Sequence, residues 1–105
     1  MKPDKKKLLE KAGFRVGSAS ELLNLSPEES TLVAMRLSLA GAVRERRANL
    51  GFSQSELARR LGSSQSRVAK IEAGESNVSF DLLVRAMLAT GAKPREVGQA
   101  IAAVR

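Results

Sequence analysis

The chain has 105 residues, with 18 Lys and Arg against 11 Asp and Glu, for a formal charge of +7. That length fits one basic domain, and 43% hydrophobic with 28% charged residues argues against wholesale disorder. Cysteine and histidine are both absent, which excludes disulfides, thiolate and imidazole metal sites, Cys nucleophiles and every Ser-His arrangement.

In chain order, residues 1–15 hold six bases (Lys2, Lys5, Lys6, Lys7, Lys11, Arg15) against Asp4 and Glu10, a net of +4. A lysine-rich terminus of this kind reads first as a solvated tail. The Lys5-Lys6-Lys7 cluster is followed by Leu8-Leu9-Glu10-Lys11, too short and too charged for a signal sequence. No run approaches the roughly 18 apolar residues of a membrane span. A cytoplasmic chain without a membrane partner is expected. Gly13-Phe14-Arg15-Val16-Gly17 reads as a loop or short strand, and Ser18-Ala19-Ser20-Glu21 as a capping box opening a short helix through Leu23. Residues 1–25 therefore form a basic arm with a short helix, and residues 26–105 a helical domain.

Ser26-Pro27-Glu28-Glu29 is a stronger start, with Ser26 as N-cap, Pro27 at the first helical position and Glu29 completing the box. A long helix then runs toward Asn49, with Leu32, Met35, Leu39, Val43 and Leu50 on one face and Gly51 as its stop. Ser53-Gln54-Ser55-Glu56 predicts another capping box, opening a two-turn helix that buries Leu57, Ala58 and Leu61 and ends at Gly62. Ser64 caps a third helix over residues 65–73, burying Val68 and Ile71 and stopping at Gly74. Glu75-Ser76-Asn77-Val78 reads as a polar connection. Ser79 caps a fourth helix with Leu82, Leu83, Ala86 and Met87 inside and Gly91 at its end. Pro94 opens a fifth, whose Val97, Ile101 and Val104 share one face. The fold class is all-α.

Residues 44–70 hold seven bases (Arg44, Arg46, Arg47, Arg59, Arg60, Arg67, Lys70) against Glu45 and Glu56, a net of +5. Residues 16–43 come to −2 and residues 71–105 to zero, so the basic charge is concentrated rather than spread. The central block is mostly arginine, whose planar donors suit phosphate and guanine. Within it, the stretch 54–73 (QSELARRLGSSQSRVAKIEA) has the features of a helix-turn-helix. Ala58 permits a close helix crossing and Gly62 suits the turn. The outward positions of the second helix fall to Gln65, Ser66, Arg67 and Lys70, side chains that read base edges or hold phosphates. Ser66 and Lys70 stand four apart, but that spacing is commonplace on a helix and makes no catalytic pair. Neither an enzyme nor a metal or cofactor site is expected.

The residues Arg47, Leu50-Gly51, Ser53-Gln54-Ser55-Glu56-Leu57-Ala58, Leu61-Gly62, Ser64-Gln65-Ser66, Val68 and Ile71-Glu72-Ala73-Gly74 together resemble the phage-repressor and Cro-like helix-turn-helix regulators, the XRE family. The resemblance covers roughly residues 40–98. It implies a five-helix, lambda-repressor-like bundle that binds double-stranded operator DNA as a homodimer. The long helix from Pro27 departs from the family pattern by extending upstream.

By position, the resemblance implies Gln65, Ser66 and Lys70 as base-edge readers and Ser53 and Gln54 as phosphate anchors. Ser64 and Arg67 complete the expected DNA-binding set. Gln54 at a helix N-terminus agrees with the affinity of free N–H groups for anionic oxygens. The resemblance also places Arg47 and Glu72 as a structural ion pair, not a DNA contact. Of Arg59 and Arg60, at most one is expected to approach DNA backbone. Val97, Ile101 and Val104 are the candidate dimer interface, with packing on their own domain as the competing role. The leading expectation is a transcriptional regulator, in the first instance a repressor. Its alternative is an antitoxin that binds a small toxin protein through residues 1–25 and autoregulates its operon.

Overall fold

The computed structural model describes residues 25–104. The expected basic arm, the loop or strand over residues 13–17 and the short helix over residues 18–23 lie outside them. Five helices follow in order: α1 Pro27–Leu50, α2 Gln54–Leu61, α3 Gln65–Ala73, α4 Phe80–Ala89 and α5 Pro94–Ala102. Among the described residues there is no strand, and no helix is long and apolar enough to cross a membrane. The fold is all-α. The chain divides into two compact units, Met1–Ala34 and Met35–Arg105, and the division falls inside α1.

In the first unit, α1 opens on a complete capping box. The Ser26 amide donates to Glu29 Oε1 at 2.9 Å, and the Glu29 amide donates to Ser26 Oγ at 3.1 Å. The bond from the Ser26 amide holds the Glu29 carboxyl below its ordinary value of 4.5. Leu32, expected inside, is 45% exposed although it shares a helical stripe with Leu39. Periodicity identifies a face of a helix but not how far along that face neighbours extend.

The second unit encloses one core. Leu39 and Val43 of α1, Leu57 of α2, Val68 and Ile71 of α3 and Leu83 and Met87 of α4 are fully buried. Val97 of α5 joins the same cluster, and Leu61, Leu82 and Ile101 pack against it while partly exposed. Two expectations about the core are corrected. Leu50, the last residue of α1, is 48% exposed, two turns beyond the last buried residue of the stripe, Val43. Val78, read as part of a polar connection, is core. Its carbonyl accepts a hydrogen bond from the Arg36 guanidinium of α1, so the connection is held down on the domain and its one apolar side chain turns inward.

Serine caps set the helix starts that follow. Ser53 Oγ accepts from the Glu56 amide at 3.0 Å, Ser64 Oγ from Arg67 at 3.2 Å and Ser79 Oγ from Leu82 at 3.0 Å. The expected box at α2 is only half formed, because the Glu56 carboxylate turns to Arg59 and Arg60 and leaves the Ser53 amide unserved. At α5 the Lys93 amide donates to Glu96 Oε1 at 2.9 Å, and Pro94 takes the first helical position.

The α2–α3 turn needs Gly62 at φ 70°, where its amide reaches the Ala58 and Arg59 carbonyls and the Ser63 amide closes on Ala58 O at 2.8 Å. Gly74, ending α3 at φ 68°, is constrained twice: a Cβ there would lie 2.9 Å from Leu37 Cδ2 of α1. Two polar ties hold α1 to α5. Ser38 Oγ donates to the Ala100 carbonyl at 2.5 Å, and Arg46 bonds Thr90 Oγ1 at 2.8 Å and Glu96 Oε2 at 2.7 Å.

Candidate nucleic-acid interface

Helix α3 buries Val68 and Ile71 and, at 100° per residue, turns Ser66, Ala69, Lys70 and Ala73 to the opposite side. Gln65, Ser66, Arg67, Lys70 and Ala73 are all exposed. Ser66 and Lys70 therefore lie on the open face, with Gln65 and Arg67 exposed at its two edges.

Behind that face runs a chain of hydrogen bonds. Gln65 Nε2 donates to Gln54 Oε1 at 2.6 Å, and Gln54 Nε2 donates to Glu72 Oε1 at 3.1 Å. Glu72 is gripped in turn by Arg47, whose Nε meets Oε2 at 2.5 Å and whose Nη2 meets Oε1 at 3.0 Å. The third Arg47 nitrogen donates to the Phe52 carbonyl at 2.7 Å, tying the α1–α2 connection into the same cluster. The Glu72 side chain is only 4% exposed and that of Arg47 17%, so this is a bidentate pair largely out of water. The Glu72 hydrogen bond raises the Arg47 pKa further above its ordinary value, and the guanidinium stays charged.

The structure thus joins Arg47, Glu72, Gln54 and Gln65 in one network. Gln54 has its carbonyl oxygen engaged by Gln65 and one amide hydrogen by Glu72, leaving one amide hydrogen unused. Ser53 and Ser64 cap their helices, and Ser64 Oγ also lies 3.3 Å from Ser66 Oγ.

The basic residues divide by what they touch. Arg46 is held by Glu96 and Arg47 by Glu72. Arg59 and Arg60 share Glu56, at 2.5 Å and 3.0 Å, and Arg60 also lies over the Phe52 ring at 4.2 Å. The Arg59 and Arg60 bonds hold the Glu56 carboxyl below its ordinary value. Among the described residues Arg44, Arg67 and Lys70 have no acidic partner. The +5 of residues 44–70 therefore resolves into tied charge and three free cations.

Two grooves of about 240 Å³ each flank α3. One is lined by Ser64, Ser66, Arg67, Lys70, Asn77, Val78 and Leu82. The other is lined by Arg44, Arg47, Gln54, Ala69, Glu72 and Ala73. The sequence gives Asn77 and Arg44 no site role. The only signal for Asn77 was its place just after Gly74, and Arg44 looked like any other arginine of a basic block. Away from α3, Val97 is buried in its own domain's core, Ile101 packs against that core and Val104 is half-buried. Among the described residues no group of His, Cys, Asp or Glu is placed to hold a metal ion.

Comparison with known proteins decides the family. The helix-turn-helix family HTH_3 matches residues 43–97, just over half the chain. The chain belongs to the HTH_3 helix-turn-helix family. The HTH_3 assignment makes it a DNA-binding transcriptional regulator, and the matched span runs from the α1 core residue Val43 to the α5 core residue Val97. A solved structure described as the clp gene regulator ClgR from C. glutamicum is similar, with 32% identity and a TM-score of 0.56. The match covers 66% of this chain and 90% of that one. Among curated proteins nothing matches.

Proposed function

We propose that this HTH_3 protein is a dimeric repressor that docks α3 in the major groove of operator DNA. The observation that carries the reading is the open face of α3, where Gln65 is held by Gln54 while Arg67 and Lys70 stand free of acidic partners. Gln65 suits bidentate pairing with adenine, and Ser66 contacts an adjacent base edge. Arg67 and Lys70 meet phosphate or guanine. Ser53, Gln54 and Ser64 bring the first turns of α2 and α3 to the backbone, where unpaired N–H groups favour an anionic oxygen.

A homodimer places two copies of α3 on half-sites about one helical turn apart. Its contact lies at the end of α5, where Ile101 and Val104 keep partly exposed apolar surface over the buried Val97. Selection of bound sequences from random DNA is expected to return a pseudo-palindrome, and a wild-type chain that enriches no motif would overturn the reading. Transcription from a promoter carrying that motif is expected to fall when the protein is added. The antitoxin alternative depends on residues 1–25, of which 1–24 lie outside the described residues, and no feature of α1–α5 favours it.

A further inference from the structure

Three arginines within one turn of α1 have three different environments. Arg46 is bound to Thr90 and Glu96, and Arg47 to Glu72 and the Phe52 carbonyl. Arg44 is exposed and, among the described residues, has neither a hydrogen-bond nor an ion-pair partner. Its helix offers none: the positions three and four away are Ala40, Gly41, Arg47 and Ala48.

Arg44 lines the groove whose other walls are Gln54, Ala69, Ala73 and the Arg47–Glu72 pair. The two alanines leave α3 low on this flank, so a backbone strand can come close. The Glu72 carboxylate does not oppose an anion here, since it is 4% exposed with both oxygens bound by Arg47 and one also by Gln54. On the opposite flank the equivalent groove carries Arg67 and Lys70. A helix about 10–12 Å across fills a major groove about 12 Å wide, so each flank of α3 faces one of the two sugar-phosphate strands.

We propose that Arg44 is a phosphate-binding residue that holds the DNA strand bordering the major groove on the α1 side of α3, across from the strand held by Arg67. The inference rests on the docking of α3 described above and adds α1 to the DNA interface. The Arg47–Glu72 pair then has a second consequence beyond tying helices: it keeps this flank free of uncompensated negative charge.

The test uses the full chain and a duplex carrying its selected motif, with Arg44→Gln and Arg44→Lys. Because Arg44 is exposed and makes no hydrogen bond or ion pair in the protein, Arg44→Gln is expected to melt as the parent does and to select the same motif. Its affinity for every sequence is expected to fall alike, and the slope of log K against log salt to lessen by about 0.9 per bound chain. Across a fourfold rise in salt that is a loss of affinity about 3.5-fold smaller per chain than the parent's. Arg44→Lys is expected to keep the slope. A neutral methylphosphonate at the contacted phosphate is expected to weaken the parent but not Arg44→Gln, and within each half-site to lie on the strand opposite the one sensitive to Arg67→Gln. An unchanged slope in Arg44→Gln, or phosphates sensitive to the two variants on the same strand of a half-site, overturns the role of Arg44 while leaving α3 docking in place. A parent that selects no motif and binds without salt dependence overturns both.

Discussion

Both flanks of α3 carry exposed cations, and one of them also carries a buried ion pair. On the flank facing Glu72, Arg47 is bidentate with a buried carboxylate, and two glutamines extend the network to the helix N-terminus. On the flank facing Asn77, Arg67 and Lys70 meet no acid among the described residues. Positive charge in this protein thus has two functions separated by burial. A desolvated arginine with a paired carboxylate sets the position of α3, and exposed cations remain for an anionic ligand. Counting bases along the sequence cannot separate the two, because the partner of Arg47 lies 25 residues away.

The largest effect is expected on the tied flank. Glu72→Ala leaves the Arg47 guanidinium largely buried without its counter-charge and is expected to destabilise the domain by about 3 kcal/mol or more in denaturant unfolding. A loss within about 0.5 kcal/mol, the range of ordinary surface changes, would place this pair among the free cations and dissolve the contrast. Next comes Gln65→Ala, at the point where the tied network reaches the open face. It is expected to lose about 1–3 kcal/mol of discrimination at one base pair while other positions of the motif hold. Uniform weakening across all sequences would make Gln65 a backbone contact instead.

On the free flank, Arg67→Gln is expected to leave unfolding within about 0.5 kcal/mol of the parent and to lower the salt slope by about 0.9 for each phosphate lost. Lys70→Ala separates two outcomes for its own position: relaxed specificity marks a base contact, and uniform weakening a phosphate contact.

The smallest effect is in acid. Glu29, Glu56 and Glu96 have folded-state pKa values below the ordinary 4.5, through the Ser26 amide, Arg59 and the Lys93 amide respectively. Below about pH 4.5 the unfolded chain takes up more protons at these sites than the folded one. The stability they contribute is therefore full above that pH and is lost as pH falls through the lowered values. The thermal midpoint is expected to drop between pH 5 and pH 3, and the drop to shrink in a variant carrying Gln at all three positions. With no histidine in the chain, stability between pH 5 and 8 is expected to stay nearly level.

Local chemistry was legible in the sequence, and long-range partnership was not. The caps at Ser26, Ser53, Ser64 and Ser79 and the stop at Gly74 could be read because each depends on residues within one turn. The core positions Leu39, Val43, Leu57, Val68, Ile71 and Met87 followed from helical period. Leu32 and Leu50 did not, because a stripe records a face and not the length of what packs on it. Val78 was hidden by its polar neighbours, and its burial depends on Arg36, 42 residues away. The half-open box at α2 was missed because Glu56 had closer cations to satisfy. At the site, the residue types on α3 were legible from spacing. The link from Gln65 through Gln54 to Glu72 needed three-dimensional proximity, as did the solitude of Arg44.

That link bears on the entropy of recognition. A free glutamine or lysine side chain gives up as much as about 1.5–2 kcal/mol of rotamer freedom when fixed in place. Gln65 has already lost part of its freedom on folding, since its amide is bonded to Gln54, whereas Arg67 and Lys70 still have theirs when DNA arrives. In the proposed docking, the side chain that reads a base is pre-organised by this bond, and those that meet the backbone adapt to it. A domain docked in that way slides along DNA on mobile, forgiving contacts while presenting one partly ordered probe to each base pair it passes.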